Sequence, residues 1–148
     1  MLKIVRNLGR RREAVSDTLT LSFEDRSKGR LKTTTDAGAE AGLFLERGQI
    51  LHEGDVLQTE CGKLVGVRNA PEEVVTASAE DWGVFARACY HLGNRHVALE
   101  IGEKRLRFQP DHVLEELARL LGLQTRAELA PFNPEQGAYA GMGHSHHH

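Results

Sequence analysis

From Thr18 to Phe23 polar and apolar residues alternate, which predicts a strand with Leu19, Leu21 and Phe23 on its inner face. A turn composition follows at Asp25-Arg26-Ser27-Lys28-Gly29, and Leu31, Thr33 and Thr35 then alternate again. Turn signals recur at Arg47-Gly48, Glu53-Gly54-Asp55 and Cys61-Gly62-Lys63, with the apolar pairs Ile50-Leu51, Val56-Leu57 and Leu64-Val65 between them. Short strands at this spacing predict a small β-barrel or sandwich over residues 1–70, and no helical stripe is evident there.

Asn69-Ala70-Pro71-Glu72-Glu73 reads as a linker, and beyond it the pattern changes. Val74-Val75-Thr76-Ala77 is β-prone, and Ser78-Ala79-Glu80-Asp81 matches a capping box with Ser78 as the cap. Trp82, Phe85, Cys89 and Leu92 form one apolar helical stripe that Gly93-Asn94 ends. Val97, Leu99 and Ile101 alternate with Ala98 and Glu100 in a strand, and Leu106 and Phe108 with Arg105 and Arg107 in the next. A second helix is predicted from Pro110, with Val113, Leu117 and Leu120 as its buried stripe, Leu114 and Leu121 beside them, and Gly122 after it. Leu129-Ala130-Pro131-Phe132 suits an edge strand, because proline is excluded from a central one. The order β-α-β-β-α-β over residues 71–133 is the ferredoxin-like arrangement, and residues 134–148 read as a flexible tail. The fold class expected is α+β.

Composition narrows the function. The 148 residues are 40% hydrophobic and 27% charged with a net charge of −2, so no field of one sign points to nucleic acid or membrane. The cluster Arg10-Arg11-Arg12 is followed at once by Glu13 and reads as a solvated turn. No apolar stretch at the N-terminus suits a signal peptide or a membrane span, and Cys61 and Cys89 match neither a zinc pattern nor a disulfide scaffold. A cytoplasmic protein with reduced thiols is expected. The loop patterns GxxxxGK[ST] and GxSxG are absent. Val67-Arg68-Asn69 is a faint echo of an acylphosphatase, without the Gly-rich loop entering a helix that such an enzyme needs. RNA binding on an open sheet needs outward aromatics, whereas the outward positions expected here are His96, Ala98, Glu100, Arg105 and Arg107.

Histidine is the compositional oddity: His144, His146, His147 and His148 are four of eight. Neutral imidazole suits nickel, copper, zinc and cobalt, so this run binds metal whether it is native or a purification tag. Strand alternation places His96 on the helix-free sheet face, either solvated or covered by a second subunit. Alone it is a weak ligand, but near a two-fold axis it meets its own copy, and one histidine per chain then supplies two donors. His91 lies in the last turn of the first helix, where a cation facing the negative end of the helix dipole is the slightly better account on local grounds. His112 lies in the first turn of the second helix, where it is either a neutral, metal-competent imidazole or a plain surface residue. His52 has no assigned role.

Tyr90-His91-Leu92-Gly93-Asn94-Arg95-His96-Val97 and Asp111-His112-Val113-Leu114 resemble the two conserved blocks of the UreE urease accessory proteins. The resemblance implies a nickel metallochaperone, not an enzyme, that forms a homodimer through its C-terminal domain. It also implies delivery of nickel to the urease apoprotein by way of the urease accessory GTPase and its scaffold proteins. Residue by residue it implies His96 as the main ligand at the subunit interface and His112 as a peripheral one. His91 also matches a family position, and the tail resembles the family's variable metal-collecting extension. The first domain resembles the family's proposed peptide-binding domain. One departure stands out: some members carry a histidine where this chain has Pro110, so a secondary site on a paired histidine is not expected. A general divalent-metal buffer, also taking copper or zinc, is the alternative function.

Overall fold

In the computed structural model, which describes residues 1–137, the chain divides into two compact units, Met1–Pro71 and the part from Glu72 onward. The first contains β1 (Leu2–Arg10), β2 (Asp17–Leu21), α1 (Phe23–Arg26), β3 (Arg30–Thr34), β4 (Glu40–Phe44), β5 (Asp55–Thr59) and β6 (Leu64–Asn69). These strands form one sheet in the order β2-β6-β5-β1-β4-β3. It curls into a nearly closed barrel, because the turn after β3 reaches β2, where Asp36 N donates to Thr18 O at 2.9 Å. Inward residues of alternate strand positions, among them Ile4, Leu19, Leu43, Leu57 and Val65, fill the core.

Two local expectations in this unit need correction. Phe23 does not end a strand: Ser22 accepts the Asp25 amide at 3.2 Å and so starts the one-turn helix α1. Ile50-Leu51 is not a strand either. Leu51 is buried because its backbone is bonded to Arg26, whose carbonyl accepts the Leu51 amide at 2.9 Å and whose guanidinium donates to the Leu51 carbonyl at 3.3 Å.

The second unit contains β7 (Pro71–Ser78), α2 (Trp82–Gly93), β8 (Glu100–Gly102), β9 (Arg105–Phe108), α3 (His112–Leu120) and β10 (Gln124–Pro131). Its sheet order β10-β7-β9-β8 is the ferredoxin-like order, and β10 is the edge strand that Pro131 requires. The α+β class holds for the chain. The linker shrinks to Ala70 alone, because β6 runs through Asn69 and Pro71 already opens β7, a position where its missing N–H costs nothing.

Both helices begin later than the sequence pattern predicts. Ser78 is held in the β7 ladder opposite Arg105, so Asp81 becomes the cap of α2 and accepts the Val84 amide at 2.9 Å. Likewise Asp111, not Pro110, opens α3 by accepting the amides of Val113 and Leu114 at 2.9 and 3.1 Å. The buried faces are centred differently from the predicted stripes. On α2 the buried residues are Phe85, Ala88 and Leu92, while Trp82 is 54% exposed with its ring edge-on to Phe85. On α3 they are Leu114 and Ala118, with Leu117 and Leu121 partly buried, while Val113 and Leu120 face outward. Hydropathy alone passes over Ala88 and Ala118, yet both are fully buried in the same core. After Leu121 the chain leaves α3 through Gly122 at φ +101°, a conformation natural to glycine.

The helix-free face of this sheet is an ion-pair network. Glu100 lies 3.6 Å from Arg107 and 3.8 Å from Arg105, and Arg107 also reaches Glu128 at 3.4 Å. Glu128 accepts a hydrogen bond from the Thr76 hydroxyl, which, with Arg126 and Arg107, holds its carboxyl below the ordinary value of 4.5. A depressed acid stabilises the fold above its unfolded value, and that contribution is lost as pH falls through the folded value. The parent is therefore expected to melt above Glu128→Gln at neutral pH. The gap should close as the pH is lowered through and below about 4.5. Thermal melts of both proteins from pH 7 to pH 3 check this, and a gap that widened in acid would contradict it.

Candidate metal site

His96 is exposed, as a ligand must be, but it is not a strand residue. The strand predicted from Val97 begins only at Glu100, and Ile101 is 42% exposed instead of lying under the helices. After α2 the chain makes two tight turns, in which Arg95 N donates to Leu92 O and His96 N to Gly93 O, each at 3.1 Å. His96 closes the second turn at φ +55°, a left-handed conformation that histidine adopts more readily than most residues. The alternation argument thus gave the right exposure for the wrong reason. Val97 does pack against the core, and Leu99 is buried, so the segment is anchored one residue after His96.

His112 is the first residue of α3 and is exposed, its position fixed by the Asp111 cap. A cleft lined by Val97 and Ala98 on one side and by Gln109, Pro110 and Asp111 on the other has Phe108 and Leu114 as its floor. Val97 and Asp111, the chain neighbours of His96 and His112, both line it, although sixteen positions separate the two histidines (96 to 112). Asp111 spends one carboxylate oxygen on two helix amides, which leaves it a poor direct ligand. His91 is exposed in the last turn of α2, with its ring edge-on to Tyr90 at 5.2 Å between centroids. His52 belongs to the other unit and is half-buried.

The cysteines do not join this group. Cys89 packs against the helix-side core, and burial pushes its thiol above the ordinary value. Cys61 lies in the first unit, 3.3 Å from the Thr59 hydroxyl, which with Lys63 lowers its thiol. Among the described residues no three histidine, cysteine or acidic side chains gather closely enough to hold an ion. His144, His146, His147 and His148 lie outside the described residues.

One feature has no signature in the sequence pattern. After β10 the chain returns to the His96 segment, where Glu135 N donates to Leu99 O at 2.7 Å and Asn133 N to Glu100 Oε1 at 2.9 Å. The root of the C-terminal segment is therefore fastened three residues from His96.

A barrel-like unit and a ferredoxin-like unit in one chain define an α+β protein of two units. Residues 1–70 match the family described as UreE urease accessory protein, N-terminal domain, and residues 72–148 match UreE urease accessory protein, C-terminal domain. The urease accessory protein UreE of Psychromonas ingrahamii is 48% identical over 148 residues, covering 100% of this chain and 97% of that one. Its counterpart in a Marinomonas species is 51% identical over 148 residues, at 99% and 100% coverage. That of Alteromonas mediterranea is 52% identical over 132 residues, at 89% and 86% coverage. The chain belongs to the UreE urease accessory protein family.

Proposed function

We propose that this chain is a cytoplasmic nickel metallochaperone, not an enzyme, that binds Ni(II) through histidines and passes it to the urease apoprotein during assembly of the active site. The observation that supports the reading is that His96 and His112 are both exposed and directly precede or follow residues lining one cleft, with the root of the C-terminal segment bonded at Leu99. Family membership supports the urease side of it, since the relatives are named urease accessory proteins. The GTPase and scaffold proteins of urease maturation are the intermediates in delivery.

In this reading the second domain, residues 71–133, is the metal-binding part and forms a homodimer. One protomer presents His96 singly, and a two-fold partner supplies the second imidazole, which turns two weak donors into one site. His112 is a peripheral donor, and His91 an accessory one. The tail, residues 134–148, collects metal. His144 is nine residues beyond Glu135 (135 to 144), so its reach from the Leu99 anchor is up to about 30 Å of extended chain. A tethered ligand at that range acts at high effective concentration toward His96. The first domain, residues 1–70, serves contacts with partner proteins. Imidazole donors alone do not exclude copper or zinc, which bind the same groups, so delivery to urease is what separates this reading from a general divalent-metal buffer.

Removing residues 144–148 is expected to reduce the number of nickel ions bound while leaving one site per dimer. Calorimetric titration of the truncated and full chains, together with the mass of the truncated protein in solution, tests this. Protons compete with metal for imidazole, so the remaining site should weaken as pH is lowered through about 6. A truncated protein that bound no nickel, or bound it as a monomer with undiminished affinity, would count against the interfacial site. If the truncated chain bound nickel but urease in a strain lacking this protein reached full nickel occupancy, the buffer reading would replace delivery.

A further inference from the structure

The outer face of β1, β4 and β3 carries a patch that the metal chemistry does not use. The strand register sets Lys3 opposite Gly42 and Gly42 opposite Lys32, with Phe44 opposite Arg30. Phe44 is 37% exposed and Met1 63%. A Cβ at position 42 would come within 3.0 Å of the Phe44 ring and 3.3 Å of the Met1 methyl. Glycine therefore lets the ring and the thioether fold over a bare stretch of strand, and together they make an apolar floor.

Cations surround this floor. The Lys3 ammonium lies 5.6 Å from the Phe44 centroid and the Arg30 guanidinium carbon 5.2 Å. Lys32 stands beside them on the edge strand and is exposed. Among the described residues none of these three cations has a carboxylate at ion-pair distance. Glu40 at the far end of β4, Glu46, which lines a pocket together with Arg30, and Glu60, whose amide bonds the Lys3 carbonyl, are the acids at the margins, and none is at ion-pair distance. An aromatic ring laid over a strand glycine has a purely structural use, shielding the backbone. That use does not call for three unpaired like charges around the ring, which repel one another.

We propose that this face docks an extended acidic segment of another protein, with carboxylates over Lys3, Arg30 and Lys32 and an apolar side chain on Phe44 and Met1. Charge complementarity selects the acidic occupant. Alternate residues of an extended peptide point the same way about 6.6 Å apart. A peptide whose every second residue faces this surface, with acidic and apolar side chains taking turns at those positions, matches a floor flanked by cations. The single exposed ring argues against stacking several bases, and the chain's net charge of −2 gives no wider field for a polyanion. The inference is independent of the nickel reading.

The test uses the full chain and a fluorescein-labelled peptide of about ten residues, with glutamate and leucine taking turns at every second position and serine between them, followed by anisotropy. The same peptide with lysine for glutamate, and vesicles containing phosphatidylserine, are the comparison probes. The glutamate peptide should bind, and the lysine peptide should not. Added salt should weaken binding, because exposed charges are screened. Lys32→Glu and Phe44→Ser should each weaken it at least about tenfold. Lys104→Glu, which alters a half-buried cation in the other unit, should not. Lys32 is a solvated side chain, so its reversal leaves the barrel folded, which circular dichroism verifies. No binding of the glutamate peptide overturns the proposal. So does equal binding of the lysine peptide, equal binding by Lys32→Glu, or a preference for the vesicles.

Discussion

In a chain ending at Gly143, replacement of His96 is expected to weaken nickel binding at least about 100-fold, leaving only loosely held ions in a calorimetric titration. Even a group behind a metal ligand typically costs about 10–100-fold when removed. In the proposed dimer one substitution deletes two direct donors, so the loss should exceed that range. The choice of replacement matters, because His96 sits at φ +55°. Alanine at such a position strains the turn by about 1–2 kcal/mol, whereas asparagine tolerates it. His96→Asn therefore removes the imidazole while keeping the two turns after α2. If both variants lose nickel equally, the ligand was lost; if only alanine does, the turn was. His112→Asn should cost far less, and His91→Asn less again. A His96→Asn protein that titrated like its parent would refute the assignment.

This expectation was partly legible in the chain before any coordinates. Residue type and a specific local block single out His96, while its exposure is predicted only through a strand alternation that the backbone does not follow. The alternation of Val97, Leu99 and Ile101 misled, because two residues of a strand and two of an anchored loop carry the same apolar signal. What decides between them is the backbone, and the left-handed His96 with its bond to Gly93 has no hydropathy. The same limit explains the helix faces. Capping oxygens at Asp81 and Asp111 fix where each helix starts, and small alanines at 88 and 118 set the centre of each buried face without a strong hydropathy signal. Strand order, by contrast, came through well in the second unit, since β-α-β-β-α-β leaves few ways to cover one sheet face with two helices. The Leu99–Glu135 bond was invisible for a plain reason: it joins two backbone groups thirty-six positions apart (99 to 135), and such pairing leaves no side-chain trace.

Arg26 was likewise read as a turn residue and proves to be one of the largest fully buried side chains in the molecule. Its guanidinium donates to the carbonyls of Leu21 and Leu51, each at 3.3 Å, and lies 5.7 Å from the Phe23 centroid. Two effects of opposite sign meet here. Burying the cation is costly, so an apolar side chain of similar length relieves that cost. Removing it deprives the Leu51 carbonyl of a donor, at about 1–3 kcal/mol, while the Leu21 carbonyl keeps its bond from the Ala70 amide at 2.9 Å. With the Leu51 carbonyl losing this donor, Arg26→Met should destabilise the first unit by about 1–2 kcal/mol. Arg26→Ala adds a cavity where a long side chain stood, and about 3–5 kcal/mol is expected. For a unit of this size, whose whole stability is about 5 kcal/mol, the alanine change brings the barrel close to unfolding. Urea melts can read the effect separately in the two units. The single tryptophan, Trp82, lies in the second unit and reports it by fluorescence, while far-UV circular dichroism also registers the strands of the first. The dichroism midpoint should fall in the order parent, Arg26→Met, Arg26→Ala, with the fluorescence midpoint moving less. A methionine variant as stable as its parent or more so would mean that desolvation of the cation outweighs its bonds. In that case the arginine is held at this position for something other than stability.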